Sequence, residues 1–201
     1  MNKTVDYYLA PSSPWTYLGH TRLTDIVAAS GVNVRLLPVD LGGKVFPATG
    51  GLPLGQRSAQ RQAYRLVELR RFSEHLNMPL NLHPKFFPVS ADPAAKLIIA
   101  VQEKEGAHAA MTLCGVILSA IWAREENIAD PQVLGSALEA AKLSREYLEV
   151  SNEPWVQGIY DQNTIAAIEQ GVFGSPTYIF NKEVFWGQDR LDFLKARISA
   201  S

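Results

Sequence analysis

The fold of this chain is decided by the stretch APSSPWTYL, residues 10–18, and by the apolar residues on either side of it. The β-rich segment Thr4 to Leu9 predicts a strand, and Pro14 to Ser30 carries apolar residues at helical spacing. Ser12 and Ser13 therefore lie on the turn between a strand and a helix. The function of two hydroxyl groups on that turn is the question that the rest of the sequence has to answer.

Further strand signals appear directly after this helix and again near the end of the chain. Gly31 ends the helix, and VNVRLLPV, residues 32–39, follows it, which predicts a β-α-β unit with parallel strands. SPTYIF, residues 175–180, and EVFW, residues 183–186, are separated by only two residues and predict a hairpin. DRLDFLKARI, residues 189–198, predicts a closing helix.

The middle of the chain is helical in pattern. GGKVFPATGGLP, residues 42–53, is rich in glycine and proline and predicts a loop. Five helices are predicted after it: Ala59 to Leu76, Pro93 to Glu105, Ala107 to Glu125, Pro131 to Ala141 and Ser144 to Val150. The order of elements predicts an α/β fold, with a thioredoxin-like domain formed by residues 1–55 and 155–201 and a large all-helical insertion formed by residues 56–154.

Composition excludes several classes of partner. Of the 201 residues, 47% are hydrophobic, so a substantial core can form. The 19 basic side chains are balanced by 20 acidic ones, so no excess of positive charge indicates binding to nucleic acid or an anionic membrane. No apolar stretch reaches membrane-spanning length, and the N-terminus lacks the pattern of a secretory signal. We therefore expect a cytoplasmic protein that binds a small molecule.

The single cysteine and the four histidines do not suggest a reactive or metal-binding cluster. Cys114 lies in an apolar helical pattern, which predicts a buried and inert thiol. The histidines are not spaced as zinc ligands, so we expect surface or core residues and no metal; they are His20, His75, His83 and His108.

Ser13 can do more than end a helix. Pro14 suits the first helical position, which makes Ser13 the N-cap. Its hydroxyl can accept a bond from a first-turn N–H and donate its own proton outward. A thiolate bound there would accept a hydrogen bond from this hydroxyl and would lie at the positive end of the helix dipole. Both interactions favour the anion, so the pKa of the bound thiol would fall toward neutrality. The alternative is that Ser13 only caps the helix.

A second signal lies at the other end of the chain. Pro176, in GVFGSPTYIF, precedes a strand at the position where thioredoxin-like folds carry a cis-proline that faces the active turn. The residue before that proline offers its main chain to a peptide-like ligand. A proline at a strand start also occurs for ordinary reasons, so it is the combination with Ser13 that is informative.

Several stretches together resemble one family. SSPWTYL, GVFGSPTYIF and FWGQDRLDFL, with ATGGLP and RQAYRLVELRRF between them, are similar to the 2-hydroxychromene-2-carboxylate isomerases and the related kappa-class glutathione transferases. The resemblance extends from Val5 to Leu194. It implies glutathione as cofactor, a small aromatic carboxylate as substrate and a homodimer.

The resemblance also implies roles for individual residues. Ser13 would contact the sulfur of glutathione and be the catalytic residue, and Ser175 and Pro176 would pair with the cysteinyl main chain. Gln188 and Asp189 would hold the γ-glutamyl end, where a carboxylate can meet the ammonium group. The alternative for these two is a helix start capped by Asp189.

Arg61 would reach a glutathione carboxylate. Its alternative is a solvated helix face shared with Arg57, Arg65, Arg70 and Arg71. The substrate pocket would draw on four aromatic residues that are equally suited to the core: Trp15, Phe86, Phe87 and Trp186.

The sequence departs from its relatives at two positions. Gly51 stands where they commonly carry an asparagine, so one side-chain hydrogen bond to glutathione would be missing or replaced by a main-chain bond. Ser175 stands where they tend to have valine.

The resemblance implies conversion of 2-hydroxychromene-2-carboxylate to trans-o-hydroxybenzylidenepyruvate, as in naphthalene-type degradation, through thiolate addition, rotation and elimination. Two alternatives remain open. One is a kappa-class-like transferase that releases a glutathione conjugate, and the other is a glutathione-binding module without catalysis.

Overall fold

A computed structural model describes residues 3–201. The described residues contain a four-stranded mixed sheet of order β2-β1-β3-β4, formed by β1 (Thr4–Leu9), β2 (Asn33–Pro38), β3 (Thr177–Phe180) and β4 (Glu183–Trp186). β1 is parallel to β2 and antiparallel to β3, and β3 is antiparallel to β4. This topology confirms the predicted α/β fold.

The turns that connect these strands follow from their residues. Helix α1 (Pro14–Ser30) crosses from β1 to β2 and ends at Gly31, whose φ of 67° is left-handed, as glycine readily allows. Asn181 and Lys182 have φ values of 52° and 67°, the geometry of a two-residue hairpin turn. The predicted hairpin is confirmed.

The segment after β2 is more ordered than a loop. Leu41–Val45 forms a π-helical turn, α2 (Phe46–Thr49) follows directly, and Leu54–Gln56 forms a 3-10 turn. The prediction of a loop over residues 42–53 is wrong for its first half. Asp40 supplies the local signal, since its carboxylate accepts from the main-chain N of Gly43 at 2.7 Å and caps the turn.

The remaining helices match the predicted order, with shifts of a few residues at their ends. The fifth predicted segment, Ser144 to Val150, begins as a turn and is helical only from Tyr147. The helices are α3 (Ala59–His75), α4 (Asp92–Glu105), α5 (Ala107–Trp122), α6 (Pro131–Ala140), α7 (Tyr147–Val150), α8 (Pro154–Glu169) and α9 (Leu191–Ser199).

The inserted helices share a hydrophobic core with the sheet. Tyr7 of β1 and Phe180 of β3 belong to the same buried cluster as Leu97 of α4 and Leu113 of α5. Gln102 of α4 also pairs with the outer edge of β2: its side chain accepts from the N of Leu36 at 2.7 Å and donates to the O of Leu36 at 3.0 Å. The helical segment therefore covers a sheet edge that would otherwise be open to pairing. The division into domains at residues 55 and 155 stays a prediction.

Within residues 3–201, no helix is long and apolar enough to cross a membrane. In the same part of the chain, no group of three or more His, Cys, Asp or Glu is arranged as a metal site.

Candidate functional site

A large cleft opens over the carboxyl end of β1. Its volume is about 1100 Å³, which exceeds the usual size of a drug-sized ligand pocket. The β1–α1 turn and the residues before β3 form one side, one face of α3 forms another, and the segments 87–92 and 186–190 complete the wall. The cleft is therefore large enough for a tripeptide and a second small molecule together.

Ser13 lies in this cleft, buried to 8% exposure. It is the N-cap of α1, as predicted, and its Oγ accepts from the main-chain N of Thr16 at 3.2 Å. The same hydroxyl donates to the main-chain O of Ser175 at 3.2 Å. Ser13 is thus both a helix cap and a proton donor directed at the residue before Pro176.

The first turn of α1 keeps one further donor. Pro14 has no N–H, the N–H of Thr16 bonds to Ser13 Oγ, and that of Tyr17 bonds to Ser13 O at 3.1 Å. Among the described residues, the main-chain N–H of Trp15 is the donor of this turn that has no capping acceptor. An anion above the turn would meet this N–H, the Ser13 hydroxyl and the positive end of the helix dipole.

The Ser175–Pro176 peptide bond is cis, as the sequence predicted, and Ser175 faces the turn. The role of the Ser175 side chain was not predicted. Its Oγ accepts from the main-chain N of Ala10 at 2.8 Å and shares a hydrogen bond with Thr16 Oγ1 at 2.8 Å. This serine ties the start of β3 to both ends of the β1–α1 turn.

The two residues expected at the γ-glutamyl end differ in availability. Gln188 is buried to 2% exposure, and its side-chain oxygen accepts from Arg22 at 3.2 Å, so Arg22 already occupies one of its polar atoms. Asp189 is exposed on the cleft wall, 3.4 Å from Arg190. Neither the 3-10 turn at residues 188–190 nor α9 has a side-chain cap, so the interpretation of Asp189 as a helix cap is wrong.

The five arginines considered together from the sequence do not share one face. Arg57, Arg61 and Arg65 line the cleft, whereas Arg70 and Arg71 do not, and Arg71 pairs with Glu68 at 2.7 Å. Arg57 and Arg65 are half-buried, so the solvated-face interpretation is wrong for these two, whereas Arg61 is exposed and both of its interpretations stay open. Burial, with the positive charge of a neighbouring arginine as the smaller cause, lowers the pKa of Arg57 and brings that of Arg65 to about 10.

Gly51 has a steric explanation. A Cβ at this position would lie 2.3 Å from Cδ1 of Phe46, so the phenyl ring fills the space that a side chain would need. Its main-chain N donates to the O of Phe46 at 3.0 Å. An asparagine at this position would require Phe46 to move.

Three of the four predicted aromatic residues line the cleft. Trp15 packs edge-on against Phe72 with ring centroids 6.1 Å apart, and Phe87 and Trp186 stand at other points of the wall. Phe86 does not line it; this ring lies outside, under Lys85 at 5.2 Å. The prediction is wrong for Phe86.

The histidines and the cysteine occupy the places expected of them. His20 is buried and bonds to Tyr7 and to the main-chain O of Met111, whereas His75, His83 and His108 are exposed. Cys114 is buried, and burial raises the pKa of its thiol.

The site also contains residues that sequence analysis missed. These are Thr16, which bonds to Ser175, and Tyr64, Phe72 and Arg65 on α3. The helical spacing of Arg61, Arg65, Glu68 and Phe72 was the available signal, because it places these residues on one face of α3.

Comparison with known proteins agrees with this arrangement. The family model of the DSBA-like thioredoxin domain matches residues 4–199, nearly the whole chain. The chain belongs to the DSBA-like thioredoxin family. Unlike dithiol oxidoreductases, this family member carries serines, and no cysteine, on its β1–α1 turn.

Three relatives bear on the predicted resemblance. A 2-hydroxychromene-2-carboxylate isomerase of Sphingobium xenophagum is 28% identical over 98% of both chains. Human glutathione S-transferase kappa 1 is 24% identical, with 96% of this chain and 89% of that protein covered. A solved structure of 2-hydroxychromene-2-carboxylate isomerase superimposes with a TM-score of 0.76 at 26% identity, covering 98% of this chain and 95% of the other. The resemblance is confirmed, and these relatives support an enzyme of isomerase type.

Proposed function

We propose that this protein is a glutathione-dependent isomerase that acts on 2-hydroxychromene-2-carboxylate or a similar aromatic ring-fission product. The observation that carries the proposal is the meeting of the Ser13 hydroxyl with the main chain of Ser175 across 3.2 Å inside the cleft. We expect the protein to act as a homodimer, as the resemblance implies.

The residues of the cleft fit glutathione. Ser13 and the N–H of Trp15 form a donor pair for a thiolate, and the main chain of Ser175 borders the same point. Arg61 and Asp189 line the same cleft. In this proposal Arg61 would bind a carboxylate of the tripeptide, and Asp189 would bind its ammonium group. Gln188 would contribute through the polar atoms that Arg22 does not use.

When bound, glutathione would supply a thiolate that adds reversibly to the conjugated system of the substrate, allows rotation about the loosened bond and leaves again. The chain's own residues hold the sulfur as an anion and orient both molecules. Ser13 keeps the sulfur deprotonated because its hydroxyl stabilises the anion and not the neutral thiol. No protein residue is consumed or oxidised in such a cycle, which agrees with a turn that lacks cysteine.

The decisive experiment follows the fate of glutathione. Purified protein is incubated with 2-hydroxychromene-2-carboxylate and a small, limiting amount of glutathione, and mass spectrometry determines the molecular masses of the products. An isomerase should convert many equivalents of substrate into a product of the same mass, with glutathione recovered unchanged.

Two other outcomes would overturn the proposal. A stoichiometric conjugate that carries the mass of the tripeptide, with no free isomer, would assign a transferase instead. Glutathione binding without conversion of the chromene carboxylate would assign a binding module.

A further inference from the structure

Arg65 of α3 is a half-buried cation without an anionic partner. Among residues 3–201 its side chain forms no ion pair and no hydrogen bond. Burial is the main cause that lowers its pKa to about 10, and the neighbouring Arg57 adds to it. It is still a cation at neutral pH, and a desolvated cation is costly unless an anion accompanies it.

The surroundings of Arg65 suit the binding of a planar anion. Its guanidinium carbon lies 5.4 Å from the ring centroid of Phe87 and 5.8 Å from that of Trp122, within cation–π range. A guanidinium held against aromatic rings keeps its edge N–H groups, which match the two oxygens of a carboxylate. Phe87 and Arg65 both line the cleft, so an aromatic acid could place its ring against Phe87 and its carboxylate against Arg65.

The other charged groups of α3 and of the turn before it that face the cleft do not compete for this task. Arg57 already donates from Nε to the O of Leu52 at 2.8 Å. Arg61 is exposed and has the role proposed above for glutathione. Glu68, the carboxylate nearest in sequence, is engaged by Arg71 at 2.7 Å. Arg65 is therefore the half-buried cation of this wall that is left for a second ligand.

We propose that Arg65 binds the carboxylate of the aromatic substrate, with the substrate ring against Phe87, and so selects aromatic acids over neutral aromatics. This inference rests on the proposed function for the identity of the substrate. The site itself is defined by the class of ligand that it would bind, a carboxylate attached to a planar ring.

The test uses binding as well as turnover. Chromone-2-carboxylate and neutral chromone share one ring system and differ in the carboxylate, so they serve as the two probes. Calorimetry in the presence of saturating glutathione measures both on the parent, Arg65→Gln, Arg65→Lys and Arg70→Gln. Arg70 lies on the same helix outside the cleft and is the matched control. Circular dichroism checks that each variant is folded.

The parent and Arg70→Gln should bind the carboxylate at least about 10-fold more tightly than chromone, the loss expected for one charge-assisted hydrogen bond. Arg65→Gln should bind both probes equally. Arg65→Lys, which keeps the charge but not the planar fork, should retain part of the preference and provides the test if the glutamine variant does not fold. Glutathione affinity should stay unchanged in all variants.

A carboxylate preference that survives in Arg65→Gln, or no preference in the parent, would overturn the inference even if the chromene carboxylate is isomerised. A preference that depends on Arg65 in a protein that does not isomerise the chromene carboxylate would support this site and refute the proposed function. The two proposals can therefore fail separately.

Discussion

The Ser13 hydroxyl donates its proton to the main-chain oxygen of Ser175 at 3.2 Å. That distance is long for an O–H···O hydrogen bond, whose common value is about 2.7–2.8 Å. A thiolate is charged, and charged acceptors form the stronger hydrogen bonds, so a sulfur anion placed in the cleft would compete well for this proton. The contact with Ser175 therefore orients the Ser13 hydroxyl but is weak enough for a bound thiolate to replace it as the acceptor.

Ser13→Ala should raise the thiol pKa of bound glutathione and reduce turnover near neutral pH by roughly 10²-fold, as removal of one oxyanion donor does. The helix dipole remains, so binding should persist. The fold should also persist, although loss of the N-cap is expected to cost about 1 kcal/mol of unfolding free energy. Titration of the ultraviolet thiolate absorbance of bound glutathione measures the pKa.

Ser12→Ala is the matched control, because Ser12 lines the same cleft but does not cap α1. It should leave the pKa and turnover close to those of the parent. Identical thiolate titrations in Ser13→Ala and the parent would show that Ser13 is a helix cap only.

The sequence predicted those parts of the structure that depend on local patterns. Alternating or helical apolar spacing defined the strands and most helices, Gly31 marked the end of α1, and the serine–proline pairs placed Ser13 and Ser175 on opposite sides of one site. These signals are short-range, and the thioredoxin-like order of elements then determined which ends of the chain meet.

The rest depends on contacts between distant segments, which no local pattern records. The bond from Ala10 to Ser175 joins residues 165 positions apart, and the displacement of Phe86 from the cleft follows from how the segment after α3 packs. Arg65 was grouped with solvated arginines because charge alone does not show which face of a helix is covered. Helical spacing could have placed Arg65 on the cleft face of α3, but its contact with the ring of Phe87 is visible only in the folded structure.

Ser175→Val should destabilise this protein by about 2 kcal/mol or more. The N–H of Ala10 and the hydroxyl of Thr16 would lose their shared partner inside a buried site, and unsatisfied buried groups cost about 1–3 kcal/mol each. Urea unfolding measures the change.

A double variant tests the cause of that loss. Adding Thr16→Val should cost less in the Ser175→Val background than in the parent, because the bond between the two side chains is already gone. Strictly additive losses would contradict the proposed network.

His20 should make stability depend on pH. Burial lowers its pKa from 6.5 to about 4, so the unfolded chain binds the extra proton first as pH falls. Its contribution is complete above pH 6.5 and is lost on acidification toward pH 4, a total of about 3 kcal/mol. Urea unfolding across this range should show a steeper dependence in the parent than in His20→Gln. Equal slopes would contradict the assignment.

Asp189→Asn should weaken glutathione binding without slowing the chemical step. Asp189 stands on the cleft wall, and its proposed contact is with the ammonium end of glutathione, away from the sulfur held at Ser13. Such a contact is equally strong in the ground state and the transition state, so KM for glutathione should rise about 10-fold while kcat holds. Steady-state kinetics at varied glutathione, with calorimetry for affinity, measures both.

Asp192→Asn supplies the control for that experiment, since Asp192 is an exposed carboxylate of α9 that pairs with Arg22 at 3.3 Å outside the cleft. It removes the same charge from the same end of the chain, so a general electrostatic effect would appear in both variants. The proposed contact requires that only Asp189→Asn lose affinity. If the two variants bind glutathione equally well, Asp189 has no direct contact with the ammonium group, and the anchor for that end of the tripeptide must lie elsewhere in the cleft.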